Sequence, residues 1–286
     1  TRHCTKHNYL VKDPASLAAI LDEAFEIATT GRPGPVLIDI PKDVQVATAT
    51  HAEGKPQRPS RYAPQMAAPT DDIARAIEMI ANAKAPILYT GGGVINSGPR
   101  ASELLRQFQK LTGAPVTSTL MGLGAFPADH DGWLGMLGMH GTYEANLAMN
   151  QADVMVCIGA RFDDRVTGRL DAFAPNSKKI HIDIDASEIG RNYPVQIGAV
   201  ADLKQALKVL NRVAKKLYPQ GFKNDALKAE MAANRTTFKA GLVAAQQSNA
   251  FPMRPERILA DARAVLPRDV IITTDVGWNK NGVGQQ

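Results

Sequence analysis

Arginines and aspartates directly follow an apolar run in the middle of the chain. Residues 154–158 are uninterruptedly apolar, which is typical of a strand buried on both faces of a parallel sheet. The next seven residues contain Arg161, Asp163, Asp164 and Arg165. The planar fork of arginine can pair with two phosphate oxygens at once. Because ligands of open α/β sheets bind at the carboxyl ends of strands, this segment predicts a diphosphate-binding turn.

A second apolar strand ends in acidic residues. Residues 180–184 alternate isoleucine with His181 and Asp183 and lead into Asp185. An acidic group at a strand end suits the hydroxyls of a ribose. Together the two strand ends predict a dinucleotide site. The alternative is that both are surface turns whose ion pairs contribute only about 0–1 kcal/mol each.

Further loops of the same kind occur upstream. Residues 86–90 form an apolar run that enters Gly91, Gly92 and Gly93, where glycine permits positive φ and a close backbone approach. These glycines do not form the GxGxxG fingerprint and are weak evidence alone. Residues 115–121 form another strand-to-loop junction, and residues 137–142 form a glycine-flanked loop around a single histidine, a residue type that is more often structural than functional.

Elements that could position these loops alternate along the chain. Strands are predicted over residues 35–40, 86–90, 115–118, 154–159, 180–184 and 270–274. Helices are predicted after Asp13-Pro14, after Asp71-Asp72, and near residues 99–112, 142–150, 202–216 and 225–247. Strands that alternate with helices favour an α/β fold with a doubly wound parallel sheet, and the flanking segments read as parts of further α/β domains.

Composition narrows the class of protein. The 286 residues carry a net charge of +5, with 44% hydrophobic and 21% charged residues, which is ordinary for a globular protein. No apolar run approaches the ~20 residues that span a bilayer, so no membrane association is expected. No basic and aromatic motif suggests nucleic-acid binding. Cys4 and Cys157 lie far apart and no leader is visible, so we expect free thiols and a cytoplasmic location.

Several longer motifs resemble one family. They are TSTLMGLGAFP at 117–127, GMLGMHGT at 135–142, ARFDDRVTG at 160–168 and IDID at 182–185. This set is similar to the central domain of the acetohydroxyacid synthases, also called acetolactate synthases, in their large catalytic subunit. Residues 5–11 and 31–43 resemble the end of that family's first domain, and residues 270–277 resemble the start of its third.

The resemblance implies an activity and its cofactors. It implies a thiamine diphosphate- and Mg²⁺-dependent transferase that decarboxylates pyruvate and joins the remaining two-carbon unit to a second 2-keto acid, in branched-chain amino acid biosynthesis. It also implies a flavoprotein in which FAD is held by the middle domain without a net redox role. The expected partners are 2-keto acids, further copies in a homodimer or homotetramer, and a small regulatory subunit.

The same resemblance implies a domain organisation. Residues 1–47 would be the tail of the thiamine-pyrimidine-binding domain, 48–69 a linker, 70–218 the central FAD-binding domain, 219–250 a connector and 251–286 the start of the diphosphate-binding domain. The family's activating glutamate would lie upstream of Thr1, and its metal-binding motif downstream of Gln286. We therefore assign no catalytic or metal-ligating residue here, and expect these residues alone to be inactive.

The resemblance also implies which residues contact FAD. They are Gly91, Gly92, Gly93, Thr119, Leu120, Met121, Gly138, Met139, His140, Arg161, Asp163, Arg165, Asp183, Ile184, Glu188, Ile189 and Asp202. An arginine of the linker is expected there too, and either Arg58 or Arg61 qualifies. The family's usual glycine before the last aspartate is replaced by Ala201.

One departure from the family leaves alternatives open. After residues 275–277 the family typically has Gln-His, where this chain has Trp278 and Asn279. That difference bears on substrate preference. Another thiamine diphosphate-dependent carboligase, decarboxylase or oxidase is one alternative, and a non-catalytic nucleotide-binding module is the other.

Overall fold

The computed structural model describes residues 1–50, 62–222 and 224–285. Arg58 and Arg61, the two candidate linker arginines, lie outside the described residues. The chain divides into two compact units, Thr1–Met66 and Ala67–Gln286. Each unit has its own parallel sheet, and they are described separately.

The first unit is a small α/β segment. Its elements are β1 (His7–Leu10), α1 (Leu17–Thr29), β2 (Val36–Asp39) and α2 (Lys42–Val46). The two strands pair in parallel. Asp13 caps a 3₁₀ turn that leads into α1, since its side chain accepts a hydrogen bond from the Ala15 N–H at 3.0 Å. The helix start and the strand predicted from sequence are both confirmed.

The second unit contains a six-stranded sheet. Its strands are β3 (Pro86–Thr90), β4 (Val116–Ser118), β5 (Trp133–Met136), β6 (Val154–Ile158), β7 (Lys178–Asp183) and β8 (Ile197–Val200). They lie in the order β5-β4-β3-β6-β7-β8, and every neighbouring pair is parallel. The first half of the sheet grows outward to one side and the second half to the other. The predicted doubly wound parallel sheet is confirmed, and its order reverses between β3 and β6.

Helices cover both faces of this sheet. They are α3 (Thr70–Ala81), α4 (Gly92–Asn96), α5 (Pro99–Thr112), α6 (Tyr143–Gln151), α7 (Asp164–Thr167) and α8 (Leu203–Leu217). The helices α3, α5 and α8 pack on one face, against strand residues such as Leu88 and Val156. On the other face α6 packs against the alternate strand residues, among them Tyr89 and Cys157. Strands buried on both faces explain the continuous apolar runs in the sequence.

Three further helices follow: α9 (Asp225–Gln246), α10 (Pro255–Val265) and α11 (Trp278–Gln285). Neither α9 nor α10 has a fully buried residue. Arg235 attaches α9 to the sheet edge, because its guanidinium donates to the carbonyl oxygen of Trp133 and lies 3.5 Å from the carboxylate of Glu144. Within the described residues, no helix is both long and apolar enough to cross a membrane.

The elements differ from the predicted ones in several places, and β1, α2, α4, α7, α10 and α11 were not predicted. The strand predicted over residues 270–274 is wrong: the segment has no regular secondary structure, and Ile271 is 88% exposed because none of the described strands pairs with it. The strands β5 and β8 were not predicted, and each contains a glycine that weakens the apolar pattern. Asp71 and Asp72 lie in the first turn of α3 rather than at its N-cap, which is Pro69.

A buried lysine lies at the start of β7. Lys179 is 1% exposed, and its Nζ donates to the carbonyl oxygens of Ala174 (2.6 Å) and Ser177 (2.8 Å). The same ammonium lies 4.3 Å from the ring centroid of Tyr193. Ala174 has φ 38°, a conformation unusual for alanine. The lysine therefore secures a strained turn, although burial lowers its pKa to about 8.

This lysine gives a pH dependence with a definite sign. Between about pH 8 and the ordinary lysine pKa of about 10.4, the unfolded chain binds a proton that the folded chain releases. The free energy of unfolding should therefore rise with pH across this window, relative to a Lys179→Met variant. Urea unfolding at pH values within and below the window measures the difference. Lys178→Met, at the exposed neighbouring position, controls for loss of a charge, and identical pH slopes in wild type and Lys179→Met would contradict the expectation.

Candidate functional site at the carboxyl ends of the strands

Two turns touch at the point where the strand order reverses. The Gly91 N–H donates to the Ile158 carbonyl oxygen, and the Gly93 N–H to that of Gly159, both at 3.0 Å. A Cβ on Gly91 would lie 2.2 Å from the Gly159 oxygen and 2.6 Å from Cα of Ala160. These glycines therefore let the turns after β3 and β6 pass each other. A crevice at such a reversal is where doubly wound folds bind nucleotides.

The loop after β4 borders the same crevice. Thr119 caps a 3₁₀ turn, and its Oγ1 accepts a hydrogen bond from the Gly122 N–H at 3.1 Å. Leu120 and Met121 project from this turn, and Met121 is 75% exposed. A Cβ on Gly92 would lie 3.2 Å from Cβ of Met121, so the second glycine allows this loop to approach the glycine turn after β3. Exposed apolar side chains beside a polar crevice suit a flat aromatic ring.

The loop after β5 reaches across to the loop after β6. Gly138 has φ +95° and is clamped by Asn146, whose side chain accepts from the Gly138 N–H (2.8 Å) and donates to its carbonyl oxygen (2.9 Å). The Met139 N–H donates to the carbonyl oxygen of Arg165 at 2.8 Å. Met139 is largely exposed and His140 is half-buried. Thus Gly138, Met139 and His140 are brought beside the arginine-rich loop.

The loop after β6 carries the charged groups. Arg161 Nη2 lies 3.9 Å from the Asp163 carboxylate, and the side chain of this arginine is 54% exposed. Asp163 caps α7 by accepting a hydrogen bond from the Arg165 N–H at 3.1 Å. Arg165 is exposed as well. One aspartate thus orders the loop while both guanidinium groups remain accessible to an anion.

The end of β7 and the loop after it carry two buried carboxylates. Asp183 ends the strand, is 9% exposed, and accepts a hydrogen bond at 2.9 Å from the backbone N–H two residues on. Glu188 is buried and pairs with Arg191 at 3.3 Å. Ile184 and Ile189 are half-buried. A buried carboxylate at a strand end is the arrangement that suits ribose hydroxyls.

Asp202 follows β8 and begins α8. Its Oδ1 accepts a hydrogen bond from the Gln205 N–H at 3.1 Å, and its Oδ2 accepts one from Ser97 Oγ at 3.2 Å. Ser97 ends α4, so this bond ties the outer strand's loop back to the glycine turn. Ala201 is fully buried before it, so the substitution for glycine is accommodated in the core. Neither Ser97 nor Asn146 was predicted from the sequence. Ser97 contacts a residue that is distant in the chain, and Asn146 belongs to no recognisable motif.

A row of buried side chains lies directly beneath the turn after β6. Tyr89 Oη donates to the Arg161 carbonyl oxygen at 2.8 Å. Cys157 Sγ (3.0 Å) and His181 Nε2 (2.9 Å) both donate to the carbonyl oxygen of Ala160. These three residues were not predicted as part of the site. The sequence signal that could have identified them is a side chain that can donate a hydrogen bond within an otherwise apolar strand.

Burial keeps these side chains neutral. Desolvation is the largest cause in each case: it lowers the pKa of His181 and raises the pKa values of Cys157 and Tyr89 well above their ordinary ranges. The carbonyl oxygen of Ala160 can only accept, so the His181 ring carries its proton on Nε2. The row therefore acts through neutral hydrogen bonds and contributes no net charge to the crevice.

The predicted residues thus form one edge of the sheet. The loops after β3, β4, β6 and β7 are neighbours, whereas those after β5 and β8 start at opposite sides of the sheet, roughly 24 Å apart at ordinary strand spacing. Two accessible arginines, exposed apolar side chains and buried carboxylates along such an edge fit an extended dinucleotide. Among residues 1–50, 62–222 and 224–285, no group of three His, Cys, Asp or Glu side chains is placed to hold a metal ion.

A separate cavity of about 430 Å³ lies at the opposite edge of the sheet, where β7 begins. It is lined by Lys179, Tyr193 and Gln196, among others. The ammonium of Lys179 is already bonded to two backbone carbonyls, and Gln196 Oε1 accepts a hydrogen bond from the Lys179 N–H at 2.5 Å. These groups serve the fold, so the candidate site stays at the carboxyl ends of the strands.

Comparison with known proteins agrees with this geometry. Residues 73–210 match the model of the thiamine pyrophosphate enzyme central domain. Over 215 residues the chain is 47% identical to the chloroplastic acetolactate synthase of Arabidopsis thaliana, which covers 74% of this chain and 32% of the relative. Over 234 residues it is 45% identical to chloroplastic acetolactate synthase 1 of Zea mays, covering 79% of this chain and 36% of the relative.

The comparisons also show how much of its relatives this chain covers, and they correct the expected location. The chain spans about a third of the length of the curated relatives it matches. The expectation of a cytoplasmic location is wrong by this comparison, because these relatives are chloroplastic proteins. Free thiols and an ordinary composition are compatible with more than one reducing compartment, so they could not support that expectation.

The contact between the two glycine turns yields a stability prediction. Gly91→Ala should destabilise the fold strongly, by several kcal/mol, because the new Cβ would overlap backbone atoms of the turn after β6. Gly241 lies within α9, and a Cβ there meets nothing within 4 Å. Gly241→Ala should therefore stabilise by about 0.5–1 kcal/mol. Chemical unfolding of the two variants compares them directly, and a Gly91→Ala protein as stable as wild type would refute the packing role.

Proposed function

We propose that this chain is part of an acetolactate synthase, because residues 73–210 match the central domain of the thiamine pyrophosphate enzymes. The observation that carries this is its 47% identity to acetolactate synthase over 74% of its length. The proposed reaction is decarboxylation of pyruvate followed by transfer of the two-carbon unit to a second 2-keto acid. Thiamine diphosphate, when bound, supplies the electron sink for that chemistry.

We further propose that the edge of the central sheet holds FAD. Arg161 and Arg165 would bind the diphosphate, because both guanidinium groups are accessible and arginine pairs well with phosphate. Asp183 would accept hydrogen bonds from ribose hydroxyls at the adenosine end. Met121 and Met139 would pack against the flavin, because they are among the exposed apolar side chains at the crevice.

The remaining residues would support this binding mode. Those nearest the flavin end would be Gly91, Gly92, Gly93, Thr119, Leu120, Gly138 and His140, and those nearest the adenosine end Asp163, Ile184, Glu188, Ile189 and Asp202. The short distances between the glycines and neighbouring backbone support a role in packing the loops as well. Asp163, Thr119 and Asp202 would act through the helical turns that they cap.

The whole protein is proposed to need more than this chain provides. Mg²⁺ would accompany thiamine diphosphate, and both would be bound mainly by residues outside this chain. A homodimer or homotetramer and a small regulatory subunit are proposed as its assembly. Within the chain, residues 70–218 would be the cofactor-binding domain, with residues 1–47 and 251–286 belonging to its neighbours.

The proposed activity has a direct test. The full-length protein carrying this chain should form acetolactate from pyruvate when thiamine diphosphate and Mg²⁺ are supplied, with release of carbon dioxide. Acetolactate can be measured colorimetrically after its conversion to acetoin, and omission of thiamine diphosphate should abolish it. A full-length protein that releases no carbon dioxide under these conditions would refute the proposal, and carbon dioxide without acetolactate would favour a decarboxylase.

The proposed FAD site has a separate test. An Arg161→Ala, Arg165→Ala double variant of the full-length protein should bind FAD roughly tenfold or more weakly, because two charge-assisted contacts are lost. Flavin fluorescence during titration measures the dissociation constant. Arg106→Ala, Arg212→Ala removes the same charge from exposed positions on α5 and α8 and serves as the matched control. Equal affinity in the two double variants would place the diphosphate elsewhere.

A further inference from the structure

We propose that Tyr89, Cys157 and His181 are positioning residues that orient backbone N–H groups of the turn after β6 toward the diphosphate of the bound dinucleotide. The inference rests on the proposed FAD site. It adds donors that no sequence motif identifies, because they belong to the main chain and are oriented by side chains that lie inside the sheet.

The three side chains form one row across the sheet. Tyr89 on β3 is in register with Cys157 on β6, which is in register with His181 on β7. All of them are fully buried on the sheet face that packs against α6. Their donor atoms converge on two consecutive carbonyl oxygens, those of Ala160 and Arg161, at 2.8 to 3.0 Å. Neighbouring strands thus act together on one turn.

Holding the two carbonyls fixes the two N–H groups that follow. A trans peptide is planar, so each N–H is directed opposite to the carbonyl oxygen of the preceding residue. With the carbonyls of Ala160 and Arg161 directed into the row, the N–H groups of Arg161 and Phe162 are directed away from it. Within the part of the chain that the structure describes, neither N–H has a hydrogen-bond acceptor. Two successive free N–H groups beside an arginine are an anion-binding arrangement.

Aromatic packing prevents the turn from relaxing. The Phe162 ring is buried, with its centroid 5.3 Å from that of His181 and 5.8 Å from that of Tyr89. A rotation of the peptide that exposed the carbonyls would also displace this ring from the core. The orientation of the turn is therefore determined twice, by hydrogen bonds and by packing.

The environment of His181 indicates that its function is to orient the Ala160 carbonyl group. Its Nδ1 is buried and has no hydrogen-bond partner among the described residues. An unsatisfied buried nitrogen costs stability, and an apolar side chain of similar size would avoid that cost. What the histidine contributes here is the Nε2–H bond to the Ala160 carbonyl oxygen. A merely space-filling role would not need that bond.

The experiment compares two tyrosines of the same core in the full-length protein. Tyr193 Oη donates to the Phe173 carbonyl oxygen at 3.1 Å, so Tyr193→Phe and Tyr89→Phe each remove one hydroxyl bonded to a backbone carbonyl. FAD and riboflavin are the probes, because riboflavin has the flavin ring without the diphosphate. Dissociation constants come from flavin fluorescence, and thermal unfolding without flavin monitors stability.

We expect Tyr89→Phe to weaken FAD binding about three- to tenfold while leaving riboflavin binding unchanged. Tyr193→Phe should lose similar thermal stability but keep wild-type affinity for FAD. His181→Gln retains a donor near the Nε2 position and should bind FAD more tightly than His181→Leu. This second pair decides the question even if Tyr89→Phe does not fold.

Three results would overturn the inference. Equal loss of FAD affinity in the two tyrosine variants would show general destabilisation, and equal loss of FAD and riboflavin affinity in Tyr89→Phe would show no link to the diphosphate. Either result leaves the proposed function intact. A wild-type full-length protein that forms acetolactate but does not bind FAD would overturn both the proposed FAD site and the row's role.

Discussion

The close contact between the turns after β3 and β6 is the constraint on which the rest of the structure depends. The sheet grows outward from these two strands in opposite directions, so their loops must separate at once while starting in contact. Only a residue without a side chain fits where Gly91 meets Gly159 and Ala160. The same contact leaves a crevice between diverging loops, so the fold and the candidate site arise from a single geometric requirement.

Around this crevice, polar groups are divided by depth. The charged and exposed groups, Arg161 and Arg165, lie at the rim, where desolvation costs little. The groups beneath them are neutral, because burial lowers the pKa of His181 and raises that of Tyr89. Capping aspartates and the Asn146 clamp hold the loops between the two layers. Positive charge is therefore available to a ligand at the rim, while the row of side chains directly beneath it stays uncharged.

Sequence was sufficient for the elements whose burial is two-sided. The strands β3, β6 and β7 and the helices around them follow from apolar runs and helical spacing. The sequence was insufficient where strand pairing determines whether a segment becomes a strand. The segment β8 contains Gly198 but forms a strand because it pairs with β7. Residues 270–274 are apolar but pair with none of the described strands. The candidate loops were located from their charged and glycine residues. The side chains that hold these loops in place could not be predicted in the same way. The hydrogen bond from Ser97 to Asp202, for example, joins residues that are 105 positions apart in the chain.

The strand order also has a consequence for biosynthesis. The two central strands, β3 and β6, are separated in the chain by the whole of one outer half of the sheet. During translation, β3, β4 and β5 emerge first and can associate, but the inner edge of β3 stays unpaired until residue 158 has left the ribosome. An apolar strand edge exposed for that interval can pair with other nascent chains. The time for which this edge waits for its partner is therefore set by the rate at which the chain from β3 to β6 is synthesised.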